Sequence, residues 1–127
     1  MATKSPGHQK WPDHKVEEKT LHERLQVRAG EETIADSSEA IEVDEDEHSP
    51  RFYIPRSGID MQRLQKSETV THCPFKGQAS YYHLKIDGKT MENAAWSYEE
   101  PYEEHLALKD LIAFHDEKPE IEIRHID

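Results

Sequence analysis

From Leu25 onward the apolar residues of this chain recur at every second position, the spacing of half-buried strands. Leu25 and Val27 alternate with polar neighbours, Ala29-Gly30-Glu31-Glu32 offers a turn, and Thr33-Ile34-Ala35 resumes the strand. Asp36-Ser37-Ser38 turns the chain again before Ile41 and Val43 alternate with Glu42 and Asp44. Arg51 to Ile54 reads as a strand stopped at Pro55, Ser57-Gly58 as a turn, and Arg63 to Val70 as extended chain supported by Thr69 and Thr71. Tyr82, Leu84 and Ile86 fall on one face of a strand, and Tyr81, His83 and Lys85 on the other. Asp87-Gly88 then predicts a tight hairpin returning along Lys89 to Ala95. Pro101 and the glutamates after it predict one or two helical turns over Glu103 to Leu108. Leu111 to Phe114 and Ile121 to Ile123 read as closing strands around a Glu117-Lys118-Pro119 turn. Short strands with regular turns predict a mainly β, antiparallel, barrel-like or sandwich domain with one short helical segment.

Residues 1 to 20 break the pattern. They are polar, carry Pro6, Gly7 and Pro12, and read as a disordered or loosely docked arm ahead of a domain over residues 21–127. Trp11 is the exception there, a side chain able to pin the arm to the domain or to a partner.

Charge narrows the function classes. The net charge of −11 comes from 27 acidic against 16 basic residues, and no basic cluster is visible. The expectation is therefore no nucleic-acid partner and no anionic lipid surface, since both need a cationic face. The apolar runs are too short to cross a bilayer, and no apolar segment follows the first residues as it would in a secretory leader. A single cysteine allows no intrachain disulfide, which fits a reducing, cytoplasmic setting. Asp44 to Pro50 is an acidic stretch whose simplest role is solvation, because the spaced ligands and glycine of a calcium loop are missing.

The densest chemistry lies in Thr71-His72-Cys73-Pro74-Phe75-Lys76-Gly77. Proline and glycine bracket a histidine, the only cysteine and a lysine, which predicts a fixed bend carrying reactive side chains. Cys73 as nucleophile or redox group, with His72 and Lys76, is one reading, since cationic neighbours favour a thiolate. Neighbours on an extended chain point to opposite faces, so a base for Cys73 is better sought elsewhere, at His83 or His115. A buried, inert Cys73 is the alternative. Nine histidines show no zinc spacing, and neither metal nor cofactor is expected. Lys76 can meet an anion as a point charge. Tyr81, Trp96, Tyr98 and Phe75 can wall a pocket or fill a β core.

These residues also carry a resemblance. The motif with Ala79 and Tyr81, then Ala94-Ala95-Trp96-Ser97-Tyr98 and Pro101, resembles the family catalogued as domain of unknown function 427. Gly30, Ile34 to Ser37, the Tyr53-x-Pro55-Arg56 corner and Ala113-Phe114 fit as well, so the likeness covers about residues 24 to 124. It implies one compact β domain of the tent-shaped Mss-four and methionine-sulfoxide-reductase type. Zinc-holding Cys-x-x-Cys pairs of those relatives have no counterpart here, and the nucleotidyltransferase-like label attached to the family finds no carboxylate pair at a recognisable spacing. After Arg56 this chain has Ser57-Gly58 where relatives commonly carry an acidic residue.

The expected function is small-molecule binding in a pocket lined by His72, Cys73, Lys76, Tyr81, Trp96 and Tyr98. A small enzyme using Cys73 with a histidine and Lys76, or a structural or protein-interaction module, stands beside it. Unpaired strand edges permit a monomer or a homodimer.

Overall fold

Turn residues set the frame of the molecule. In the computed structural model, which describes residues 3–126, Asp87 and Gly88 both take positive φ, 51° and 75°. That is the twist a two-residue hairpin needs, and Gly88 adopts it without a Cβ clash. This turn joins β7 (Gly77–Ile86) to β8 (Lys89–Pro101) with Ile86 opposite Lys89. β6 (Leu64–Cys73) pairs with β7 on one side, and β9 (Ile112–Phe114) pairs with β8 on the other, making a four-stranded antiparallel sheet.

Two three-stranded antiparallel sheets flank it. One is built from β2 (Arg24–Ala29), β3 (Glu32–Ser37) and β10 (Ile121–Ile126), the other from β1 (Val16–Thr20), β4 (Ile41–Glu45) and β5 (Arg51–Tyr53). The expectation of a mainly β, antiparallel domain holds, and the strand order closes no barrel among the described residues. The helical turns expected over Glu103–Leu108 are 3-10 turns. The segment read as an arm carries β1 and a five-residue helix, α1 (Pro6–Lys10). Met1, Ala2 and Asp127, the ends of the expected arm and domain, lie outside the described residues. No helix among the described residues is long and apolar enough to cross a membrane.

Strand alternation gives the central sheet two working faces. Tyr82, Leu84, Ile86, Ala95, Ile112 and Phe114 pack against Leu25, Val27, Ile34 and Ile121 of the β2–β3–β10 sheet. Ala79, Trp96, Tyr98 and Ala113 pack against Val16, Val43 and Tyr53 of the β1–β4–β5 sheet. Leu25, Val27, Ile54, Leu84 and Ile112 are wholly inaccessible, and each such side chain contributes about 1.5–3 kcal/mol over an exposed one. Ile54 ties the sheets together: its N–H donates to the Ile112 carbonyl at 2.8 Å and its carbonyl accepts from Ile112 at 2.9 Å.

Candidate functional site

Pro74, Phe75 and Lys76 connect β6 to β7, with Cys73 opposite Gly77. Alternation from this turn places Thr71 and Cys73 on the same face as Ala79 and Tyr81, and Trp96 lies directly opposite Tyr81 on β8. Across from that face stand Val43 and Glu45 of β4 and Arg51 and Tyr53 of β5. Between them the second core runs out, leaving an open cleft of about 520 Å³. Cys73, Lys76, Tyr81, Trp96 and Tyr98, all named from the sequence, line it.

His72 does not. Alternation turns it to the outer face, where its Nε2 lies 2.6 Å from the Tyr102 hydroxyl on an exposed surface. The structure thus places His72 apart from the cleft residues with which the sequence grouped it. His83 also points elsewhere, its Nδ1 accepting the Asn93 N–H at 3.0 Å.

Lys76 is 8 % exposed, and its Nζ donates to Oε1 of Glu45, whose side chain is also largely buried. The other Glu45 oxygen lies 2.9 Å from Nε2 of His14. Burial disfavours the Glu45 carboxylate, but the hydrogen bonds from Lys76 and His14 outweigh it and hold the group below the usual carboxylate range. Lys76 Nζ also sits 6.0 Å from the centre of the Tyr98 ring.

The floor is aromatic and polar. The Trp96 indole N–H donates to the Tyr53 hydroxyl at 3.0 Å in a buried contact. Burial pushes the phenols of Tyr53 and Tyr98 above the ordinary range, so both stay neutral and keep their O–H as donors. On the far wall the His115 ring lies 4.4 Å from Trp96 and nearly parallel to Tyr81. Burial lowers the His115 pKa against the pull of Glu117, so the imidazole is neutral at pH 7. The Arg51 guanidinium sits 5.5 Å over Trp96 and is held from behind by Glu117 and, at 3.3 Å, Asp116.

Cys73 is half-buried at the cleft surface, and its Sγ accepts the Lys76 backbone N–H at 3.4 Å. No imidazole or carboxylate is hydrogen-bonded to that sulfur among the described residues. Among the described residues, no three His, Cys, Asp or Glu side chains converge there as a metal centre would require.

Sequence reading missed Glu45, Arg51 and Tyr53 as lining residues. The signal for Glu45 was present: it is two residues beyond Val43 and four beyond Ile41, hence on the inward face of the same strand. Reading Asp44 to Pro50 as a solvated run hid it. Tyr53 shares the inward face of β5 with Arg51 by the same alternation.

A second polar cluster lies on the opposite face of β8. Arg56 donates to the Asp110 carbonyl at 2.7 Å and to Glu99 at 3.2 Å. The Tyr82 hydroxyl donates to Glu99 at 2.8 Å, and Lys66 Nζ donates to its other oxygen at 2.7 Å. An arginine–carboxylate pair therefore exists at this corner, with its acid supplied by β8. Burial opposes the Glu99 charge, yet hydrogen bonds from Lys66, Tyr82, Ser80 and Arg56 bring its pKa to about 2. A carboxyl depressed in the folded state stabilises fully above its unfolded pKa, and that contribution is lost as pH falls through the folded value. The urea midpoint should fall as pH drops from about 5 toward 2, and Glu99→Gln should flatten part of that fall. An unchanged acid limb in Glu99→Gln would show that Glu99 is not a source of it.

A family model described as Domain of unknown function (DUF427) matches residues 17–125. No curated protein matches the chain.

Proposed function

The chain belongs to the DUF427 family, and from that premise we propose that it binds a small molecule in the cleft beside the Cys73–Lys76 turn. The observation that carries this reading is a nearly inaccessible lysine, paired with a nearly inaccessible glutamate, in the wall of an open concavity. Stability alone is poor grounds for such a pair, since apolar residues of the same volume hold a fold at least as well. A site for a charged group is good grounds, because Lys76 can exchange the Glu45 carboxylate for that of a ligand. Tyr81, Trp96 and Tyr98 offer flat apolar faces beside it, and the phenol hydroxyls offer donors. The class this favours is a small acid carrying an aromatic or other flat unsaturated group. About 520 Å³ is room for one such molecule.

A thermal-shift series tests this with aromatic carboxylates, nucleotides, flavins, thiols and amines. A ligand at a hundred times its Kd adds about 2.7 kcal/mol to the folded state. The expected result is a rise in Tm with aromatic acids that disappears in the Lys76→Met/Glu45→Leu double variant. No rise with any acid at millimolar concentration, or a rise that survives in the double variant, would remove the reading.

One observation favours an enzymatic second reading: Cys73 Sγ faces the same cleft and accepts a backbone N–H. Binding is placed ahead of it because, among the described residues, no imidazole or carboxylate is hydrogen-bonded to the thiol.

A further inference from the structure

The outer side of the Cys73–Lys76 turn is covered by the N-terminal segment. Ser5 is wholly buried; its Oγ donates to the Pro74 carbonyl at 2.6 Å and accepts the His8 N–H at 3.2 Å, which caps α1. The Gly7 N–H donates to the same Pro74 carbonyl at 2.8 Å. Phe75 lies against both His8 and His14, with ring centres 5.0 and 4.2 Å away. The Ser5 N–H donates to Glu104 at 2.9 Å, and the Glu103 N–H to the Thr3 carbonyl at 2.8 Å. His14 holds the Glu45 carboxylate whose other oxygen takes Lys76. Every residue of the turn from Pro74 to Lys76 is thus tied, directly or through Glu45, to this segment.

We infer that residues Ser5 to His14 form a histidine-latched strap that positions the turn, so that docking of the strap and the state of the cleft are one equilibrium. His14 is a positioning residue, acting on Lys76 through Glu45. The inference deepens the binding reading by naming a regulator of that cleft, and it rests on that reading for its functional meaning.

The latch is a pair of ring nitrogens. His8 Nε2 and His105 Nε2 are 2.8 Å apart, and the buried His105 turns its Nδ1 to Glu18 Oε1 at 2.8 Å. A hydrogen bond between two such nitrogens needs one of them bare, so both cannot carry a proton. The groups facing the pair are Glu18 from β1, Glu104 from the 3-10 turn, His14 within the strap and the Phe75 ring. A proton added to the bare nitrogen breaks the contact. Burial and then His105 hold His8 below the ordinary imidazole range, so docking is complete above that range and weakens as pH falls through it.

The full-length chain tests this with two readouts: hydrogen exchange of amides in residues 5–14, corrected for intrinsic rates, and iodoacetamide alkylation of Cys73. Gly7→Val is the main variant, because a Cβ at Gly7 would stand 2.6 Å from the Pro74 oxygen and 2.8 Å from the Phe75 ring. Ser5→Ala removes only the hydroxyl and adds no strain. Gly7→Val should change the alkylation rate of Cys73 about ten-fold and Ser5→Ala by less, with β7 amides still protected in both. In the wild type, exchange of the strap should rise between about pH 7.5 and 5.5. Strap amides that exchange freely in either variant while Cys73 alkylates at the wild-type rate would overturn the coupling. Equal strap protection at both pH values would overturn the histidine latch. Alkylation needs no ligand, so failure of every compound in the thermal-shift series would sink the binding reading and leave this measurement standing.

Discussion

Glu45→Leu is expected to cost about 3 kcal/mol at neutral pH, because it leaves the Lys76 ammonium buried without its carboxylate. Lys76→Met should cost less, about 1–2 kcal/mol, since His14 still faces the Glu45 carboxylate that remains. The double variant Glu45→Leu/Lys76→Met should recover most of both losses, for it removes two desolvated charges together. Urea unfolding of the four proteins gives the coupling directly. Additive losses would mean that the two charges do not depend on each other and that the cleft wall is not built around them. Recovery in the double variant would leave stability with little use for the pair, as the proposed binding role requires.

Ile54→Ala should be the most damaging core truncation outside the cleft, at about 3 kcal/mol and a fall in Tm of roughly 10–15 °C. Ile54 is inaccessible and stands where β5 meets β9 through a reciprocal backbone pair with Ile112. The cavity therefore opens at the joint between two sheets. Tyr53, its neighbour, supports the Trp96 indole, so the same substitution should also red-shift Trp96 emission as the cleft floor loosens. A loss below about 1 kcal/mol with unchanged emission would show that the sheets are held together elsewhere.

The strands were legible because alternation is a local signal: Tyr82, Leu84 and Ile86 face the first core, as their spacing required. The Asp87-Gly88 hairpin was legible because few residues accept positive φ in succession. Position 5 shows what was readable and overlooked, since a serine followed by proline is a helix start, and Ser5-Pro6 begins α1. Cys73, Lys76, Tyr81, Trp96 and Tyr98 could be grouped from the sequence because they share a hairpin and its adjoining strand, and they line one cleft. Glu45, Arg51, Tyr53 and His115 come from elements far away in the chain, and nothing local pairs them with the turn.

By itself, then, the sequence determined the period-two strands, the turns between them, the acidic charge balance and the membership that its motif carries. Those follow from backbone sterics and side-chain spacing over a few residues. Only the tertiary structure decided which carboxylate meets Lys76, that Tyr53 supports the Trp96 indole, and that the N-terminal segment straps the turn. Each of these depends on contacts between residues tens of positions apart, and their energies exist only once the sheets have packed.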